Sequence, residues 1–313
     1  MRGMFLRRAG LALLLMLAAT ALTFALVTAA PGNVAALIAE RAAGAGADGA
    51  MIKRIANDLG LNDPLPLRYT RWLGAALTGN LGVSLRTGKP IASEFAERIP
   101  VTALLLAGGG ALALVLSLGM GLLGARYHGG WIDKVLHGLA LIGASTPNFF
   151  VAAMLVIAFS IRLRWLPSFG NAGVTSWLLP WLTIAIFPAA VLSRVVRVNL
   201  QEAMSRPFAT TGFAKGLGRG AVLVREALPN IAIPYLTTFG AQFTLMVIGA
   251  IVVERVFGLN GVGAFFIEAI RFRDFVGMQA VLTLFVVFFV SINLLVDFAA
   301  MLADPRLRRP RTA

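Results

Sequence analysis

The sequence predicts an all-α polytopic membrane protein that crosses a bilayer about six times. Three observations carry that prediction. Apolar residues make up 58% of the chain and charged residues 13%, against roughly 45–50% and about 25% in a soluble domain. A single water-soluble core in 313 residues would leave large apolar patches exposed. The apolar residues also gather into stretches near the roughly 20 residues that a helix needs to cross a hydrocarbon core of about 30 Å. Finally, the basic residues are distributed unevenly among the segments between those stretches.

The candidate spans lie at about 9–30, 101–125, 137–161, 177–196, 235–253 and 279–302. The first follows Arg2, Arg7 and Arg8 and resembles a signal peptide. Its apolar run is longer than the ~7–15 residues of a signal h-region, so it reads as a retained helix. The fourth is the weakest, because Pro180 and Pro188 interrupt it; five spans is the alternative count. Glycines at 108, 109, 110, 119, 121 and 124 predict close approach between helices.

Charge sets the orientation. With the N-terminus inside, the inner segments hold Arg2, Arg7, Arg8, Arg126, Lys134, Arg194, Arg197, Arg206, Lys215, Arg219, Arg225, Arg306, Arg308, Arg309 and Arg311. The short outer loops hold Arg162, Arg164, Arg255, Arg271 and Arg273, which makes fifteen against five. The positive-inside rule then puts both termini in the cytoplasm. It also accounts for the net charge of +14 without a nucleic-acid partner.

Three stretches exceed simple connectors. Residues 31–100 read as a small outer cap, with Met51, Ile52, Ile55 and Leu59 near helical spacing, Gly60 ending that run, and turns at Asp63-Pro64 and Thr87-Gly88-Lys89-Pro90. The cap is either a structural lid or a docking surface. The inner stretch at about 197–234 holds Ala209-Thr210-Thr211-Gly212-Phe213-Ala214-Lys215-Gly216-Leu217-Gly218. It reads as a short helix followed by a sharp turn, with Phe208, Phe213 and Leu217 available for a partner's groove. The outer stretch at about 254–278 is a glycine-rich turn and an amphipathic segment.

Catalytic constellations are missing from the sequence. Gly82 to Gly88-Lys89 has the wrong spacing for a phosphate-binding loop, and Pro90 stands where Ser or Thr would hold magnesium. The chain has no cysteine, and its two histidines, His128 and His137, have no metal-ligand spacing around them. Asp297 in the last span reads as reaching the inner interface or pairing with a basic neighbour. With so little intramembrane charge, energy for transport has to arrive through a partner.

Taken in order, the loop motifs resemble the permease subunits of ABC importers, in the B-type branch of the dipeptide/oligopeptide/nickel family. The likeness covers nearly the whole chain. It rests on Leu59-Gly60-Leu61-Asn62-Asp63-Pro64 with Tyr69 and Trp72, Gly79-Asn80-Leu81-Gly82-Val83-Ser84, Arg98-Ile99-Pro100-Val101-Thr102 and Ser145-Thr146-Pro147-Asn148-Phe149-Phe150. Trp165-Leu166-Pro167, Val253-Glu254-Arg255-Val256-Phe257, Gly261-Val262-Gly263, Arg273-Asp274-Phe275 and Asp304-Pro305-Arg306 complete the series. The resemblance implies a type I importer permease fold: an N-terminal helix and periplasmic loop (1–100), then a core transmembrane domain (101–313).

The same resemblance makes residues 208–218 the EAA-type loop that docks on an ATPase. Phe208, Thr211, Gly212, Ala214, Lys215, Gly216, Leu217 and Gly218 are then the coupling residues. Pro207, Thr210 and Phe213 depart from the family's charged positions, and Asn80 replaces its usual aspartate, so no specific salt bridge to the ATPase carries over. The implied assembly has a second homologous permease, two cytoplasmic ATPases that bind ATP and magnesium, and a periplasmic solute-binding protein, in the bacterial inner membrane among its lipids. This chain itself would bind no cofactor and catalyse nothing. The implied cargo is a di- or oligopeptide; a nickel or metal chelate, or another small solute, is the alternative. A membrane-embedded enzyme is the rival class, and no cluster of polar residues in the sequence supports it.

Overall fold

A computed structural model describes residues 2–30, 34–43, 48–58, 60–169 and 173–303. Leu59, the Asp304-Pro305-Arg306 motif, the basic tail beyond it, and the side chains of Arg2 and Asp297 lie outside the described residues. Helices dominate. An isolated bridge joins Val83 to Pro90 across the turn expected at 87–90.

The chain opens with α1 (Arg2–Ala29), followed by three short helices of the cap, α2 (Val34–Ala43), α3 (Gly49–Asp58) and α4 (Leu65–Leu77). Gly60, at φ +61, ends the α3 run. α4 leans on the far half of α1 through aromatic contacts of Phe24 with Tyr69 and Trp72. The Thr20 and Tyr69 hydroxyls lie 2.9 Å apart.

The second span, α5 (Ile91–Arg126), begins ten residues earlier than the sequence suggests. Its 36 residues rise about 54 Å, more than a bilayer core requires, so its first turns stand clear of the apolar layer. Next come α6 (Trp131–Ser145), α7 (Asn148–Leu155) continued by a π-helical segment (Val156–Arg162), and α8 (Val174–Met204). The arm after α8 holds α9 (Pro207–Ala214), α10 (Arg219–Val222), a π-helical turn (Leu223–Ala227) and α11 (Leu228–Asn230). The chain ends in α12 (Ala232–Phe257), α13 (Val262–Arg271) and α14 (Phe275–Ala303).

Two expectations about the spans exchange places. α8 runs unbroken through Pro180 and Pro188. It is packed by α5, α6, α7 and α12, which is the setting in which a membrane helix tolerates proline. The break falls instead in the third span, expected as one helix over 137–161, whose axis turns through 112° between Ser145 and Asn148. Pro147 lacks an N–H and pushes the preceding residue out of the helical region, and Thr146 sits extended at ψ 125.

Helix register settles whether the broken pair crosses. Gly108 faces Trp181, Gly109 faces Ile184 and Gly121 faces Val196, each so closely that an added Cβ would come within 2.1, 2.2 and 2.4 Å. Gly124 faces Arg197. The numbers rise together, so α5 and α8 run parallel. α5 ends at the end of the bundle that carries Arg7, Arg126 and Lys134, here the basic end, and α8 starts at the opposite cap end. The segment between them therefore runs once from the basic end to the cap end, which makes the bent pair one candidate span beside the five long apolar helices. α12 runs antiparallel to α5, as Thr102–Glu254 and Ser117–Tyr235 show. Among the six glycines expected to admit close approach, Gly119 alone meets no neighbour within 4 Å.

Candidate functional site

At the basic end, α8 passes into α9 after only two residues. Pro207 supplies the fixed φ of a first helical position. Eight residues later the helix stops: Lys215 donates its N–H to Thr211 O (3.1 Å) and Gly216 donates to Phe213 O (2.9 Å). Gly216 then adopts φ +79, a conformation that favours glycine. Gly218 starts the next helix, accepting from the Ala221 and Val222 amides.

The eight expected coupling residues divide into two faces. Phe208 is half-buried and packs against the apolar cluster of Leu192, Val196, Leu200, Leu223 and Ala227. Gly212 is also buried; an added Cβ would meet Val222 at 3.2 Å. Thr211, Ala214, Lys215, Gly216 and Gly218 are exposed, together with Phe213, and Leu217 is half-buried. Ala209, which spacing alone did not single out, is fully buried beneath the helix.

An ion pair at the root of this arm was missed in the sequence. The Arg197 guanidinium on α8 donates Nε and Nη2 to the two carboxylate oxygens of Asp133 at 2.5 and 2.7 Å. Asp133 is buried and also accepts the Gly129 N–H at 3.0 Å. His128 Nδ1 lies 3.4 Å from the same carboxylate, so this histidine does have a carboxylate neighbour. Asp133 as the acidic residue in an otherwise basic inner segment was the available signal. Arg219 donates to the carbonyl of Ala125 at 3.4 Å, tying α10 to the foot of α5.

At the cap end the scattered loop motifs meet in one knot. Glu254 is fully buried. Its carboxylate accepts the Thr102 hydroxyl at 2.6 Å and the Ala264 N–H at 2.9 Å. The same Thr102 oxygen accepts the Val262 N–H at 2.9 Å. Glycine is required beside it: a Cβ on Gly261 would sit 2.3 Å from the Glu254 carboxyl group, and one on Gly263 would sit 2.6 Å from the Ile251 backbone. Arg98 donates to Glu94 at 2.8 Å and to Asn260, and lies 4.8 Å from the centre of the Phe265 ring. Nearby, the buried Asp274 accepts the Ser84 hydroxyl and the amides of Leu85 (3.0 Å), Arg86 (3.4 Å) and Gly277 (2.9 Å). Two regions more than 150 residues apart, 84–102 and 254–277, are thereby fastened together.

Residues 99–309 match the family described as "Binding-protein-dependent transport system inner membrane component", and residues 1–106 match its N-terminal companion. The chain belongs to this permease family. A relative from Sinorhizobium fredii named "Probable peptide ABC transporter permease protein" is 36% identical over 91% of this chain and 92% of its own length. The "Glutathione transport system permease protein" of Pectobacterium atrosepticum is 35% identical over 92% of each chain. Among solved structures, a chain of the MetNI methionine ABC transporter in inward-facing conformations has a TM-score of 0.58. It covers 68% of this chain and 98% of that one, at 15% identity, and so supports the fold. As a permease of this family the chain is a transport component and not an enzyme, and it works with an ATPase and a binding protein.

Proposed function

We propose that this chain is one half of a two-permease pathway that imports di- or oligopeptides through the bacterial inner membrane. The basic end faces the cytoplasm, where α9 engages one of two ATPases that bind ATP and magnesium. The cap end faces outward and receives solute from a binding protein. Both termini are cytoplasmic in this reading: an even number of crossings leaves them on one side, and the excess of basic residues in the inner segments supports the cytoplasm as that side. Peptide cargo is supported by the relatives above, since glutathione is itself a tripeptide.

The observation that carries the reading is the two-faced α9. Its inner face is packed into the bundle, so force applied to its outer face reaches α8 directly. Closure of the ATPases would thus rock the permease as a rigid body. A bulky residue at Ala214 tests this without the backbone strain that any substitution at Gly216 introduces. In proteoliposomes holding the whole transporter, Ala214→Trp is expected to insert normally and lose most uptake, at least about tenfold. Reversing the charge at Lys215 should weaken ATPase association while solute binding to the external protein stays unchanged. Wild-type uptake by both variants sinks the coupling role of α9.

A further inference from the structure

The broken third span leaves irregular backbone in the middle of the bundle. Its break lies within the apolar layer: α8 runs past it at Ile184, which packs on Gly109 near the middle of α5. A helix that stops there leaves its last carbonyls and the next helix's first N–H groups without helical partners. Irregular backbone at membrane depth is tolerated only where protein buries it or water reaches it. Here the break, α8 and α12 line an open cleft of about 390 Å³ that includes Ser145, Thr146, Asn148, Phe187, Met246 and Gly249.

The side chains in the cleft are as telling as the backbone. Thr146 donates its hydroxyl back to Ile142 O at 2.6 Å. Among the described residues, Ser145 and Asn148 hold no hydrogen-bond partner for their side chains. Asn148 lies so close over Gly249 that an added Cβ there would come within 2.7 Å of its Nδ2. Outside the cleft lining, Gln242 lies one turn before Met246 and two before Gly249 on the same stripe of α12, and its Oε1 is buried without a partner. Free amides in hydrocarbon are costly. They suit a water-filled path through which a hydrogen-bonding solute moves.

We propose that the break at Ser145-Thr146-Pro147-Asn148 lines the translocation path and that Asn148 contacts the peptide backbone of the passing solute. The open side of the cleft then faces the path rather than lipid. An amide donates and accepts at once, so it pairs with a peptide unit whatever side chain that unit carries. This fits a permease that leaves selection to its binding protein. Discontinuous helices place solute sites at the same depth in other transporters. The inference rests on the importer reading of the previous subsection.

The test uses the assembled transporter. The chain has no cysteine, so Asn148→Cys can be probed with a negatively charged, membrane-impermeant methanethiosulfonate, with Leu14→Cys on the exposed face of α1 as the comparison. Asn148→Cys is expected to react roughly tenfold faster or more, as a water-facing thiol should. Separately, Asn148→Leu should reduce uptake of labelled trialanine roughly tenfold, the value of about one lost hydrogen bond, while ATP hydrolysis stimulated by the binding protein persists. Asn148→Gln should keep most uptake. Labelling of Asn148→Cys as slow as that of Leu14→Cys overturns the proposal, and so does wild-type uptake by Asn148→Leu. A wild-type assembly that takes up no trialanine counts against the peptide reading instead, and the labelling ratio still decides whether the break faces water.

Discussion

The two ends of the bundle are held together by different physics. At the cap end, buried carboxylates gather hydrogen bonds from several segments, and glycines bring backbone into contact with Glu254. At the basic end, the arm is held by apolar packing beneath Phe208 and Ala209, with one buried ion pair at its root. Directional hydrogen bonds among buried groups specify one arrangement. Apolar packing is not directional and yields more easily to a small rotation. The contrast suits a machine whose cap end presents a constant surface and whose basic end is moved.

The largest effect that would break or sharpen this contrast is at Glu254. Glu254→Ala strands the Thr102 hydroxyl and the Ala264 N–H in the interior. That should cost about 3–5 kcal/mol, read as a large fall in Tm of the detergent-solubilised protein. A loss below about 1 kcal/mol would mean the knot is not what holds the cap end. Next comes the pair at the arm's root. Asp133→Ala should cost about 2–4 kcal/mol, less than for a fully buried pair because Arg197 keeps some solvent contact. The double variant Asp133→Leu/Arg197→Leu should recover most of that loss, since neither charge is then left unpaired. If the double variant is as unstable as the two single changes summed, the pair is not acting as a unit.

Much of this fold was legible because membrane spans are written in composition and orientation in charge. Five of the six expected stretches are helices long and apolar enough to cross, and the sixth is the bent pair around Pro147. What misled was proline. Pro180 and Pro188 drew attention in a span that neighbours hold straight, while Pro147 stood in a quoted motif without being read as a helix stop. Sequence cannot say which proline has neighbours to satisfy the freed carbonyls; only packing can. The knot was half legible. Glu254, Gly261, Gly263 and Asp274 all appeared among the loop motifs, but their roles depend on contacts across more than 150 residues of chain, such as Thr102 with Glu254. At α9, spacing identified the segment and not its faces: Phe208 and Gly212 pack toward the bundle, and Thr211, Ala214 and Lys215 are exposed.

The smallest predicted effect tests the contrast most sharply. Glu202 and Arg206 form an ion pair at 2.7 Å where α8 hands over to α9, and both side chains are more than half exposed, at 62% and 60%. Such a pair has high dielectric around it and contributes about 0.3–0.5 kcal/mol at i,i+4 spacing. Glu202→Ala should therefore leave Tm nearly unchanged, in low salt as in high. If the basic end is instead fastened by charges, as the cap end is by hydrogen bonds, the loss would exceed about 1 kcal/mol and shrink with added salt. A flat result in both salts leaves apolar packing and the Asp133–Arg197 pair as what ties the arm to α8, which is the arrangement a lever requires.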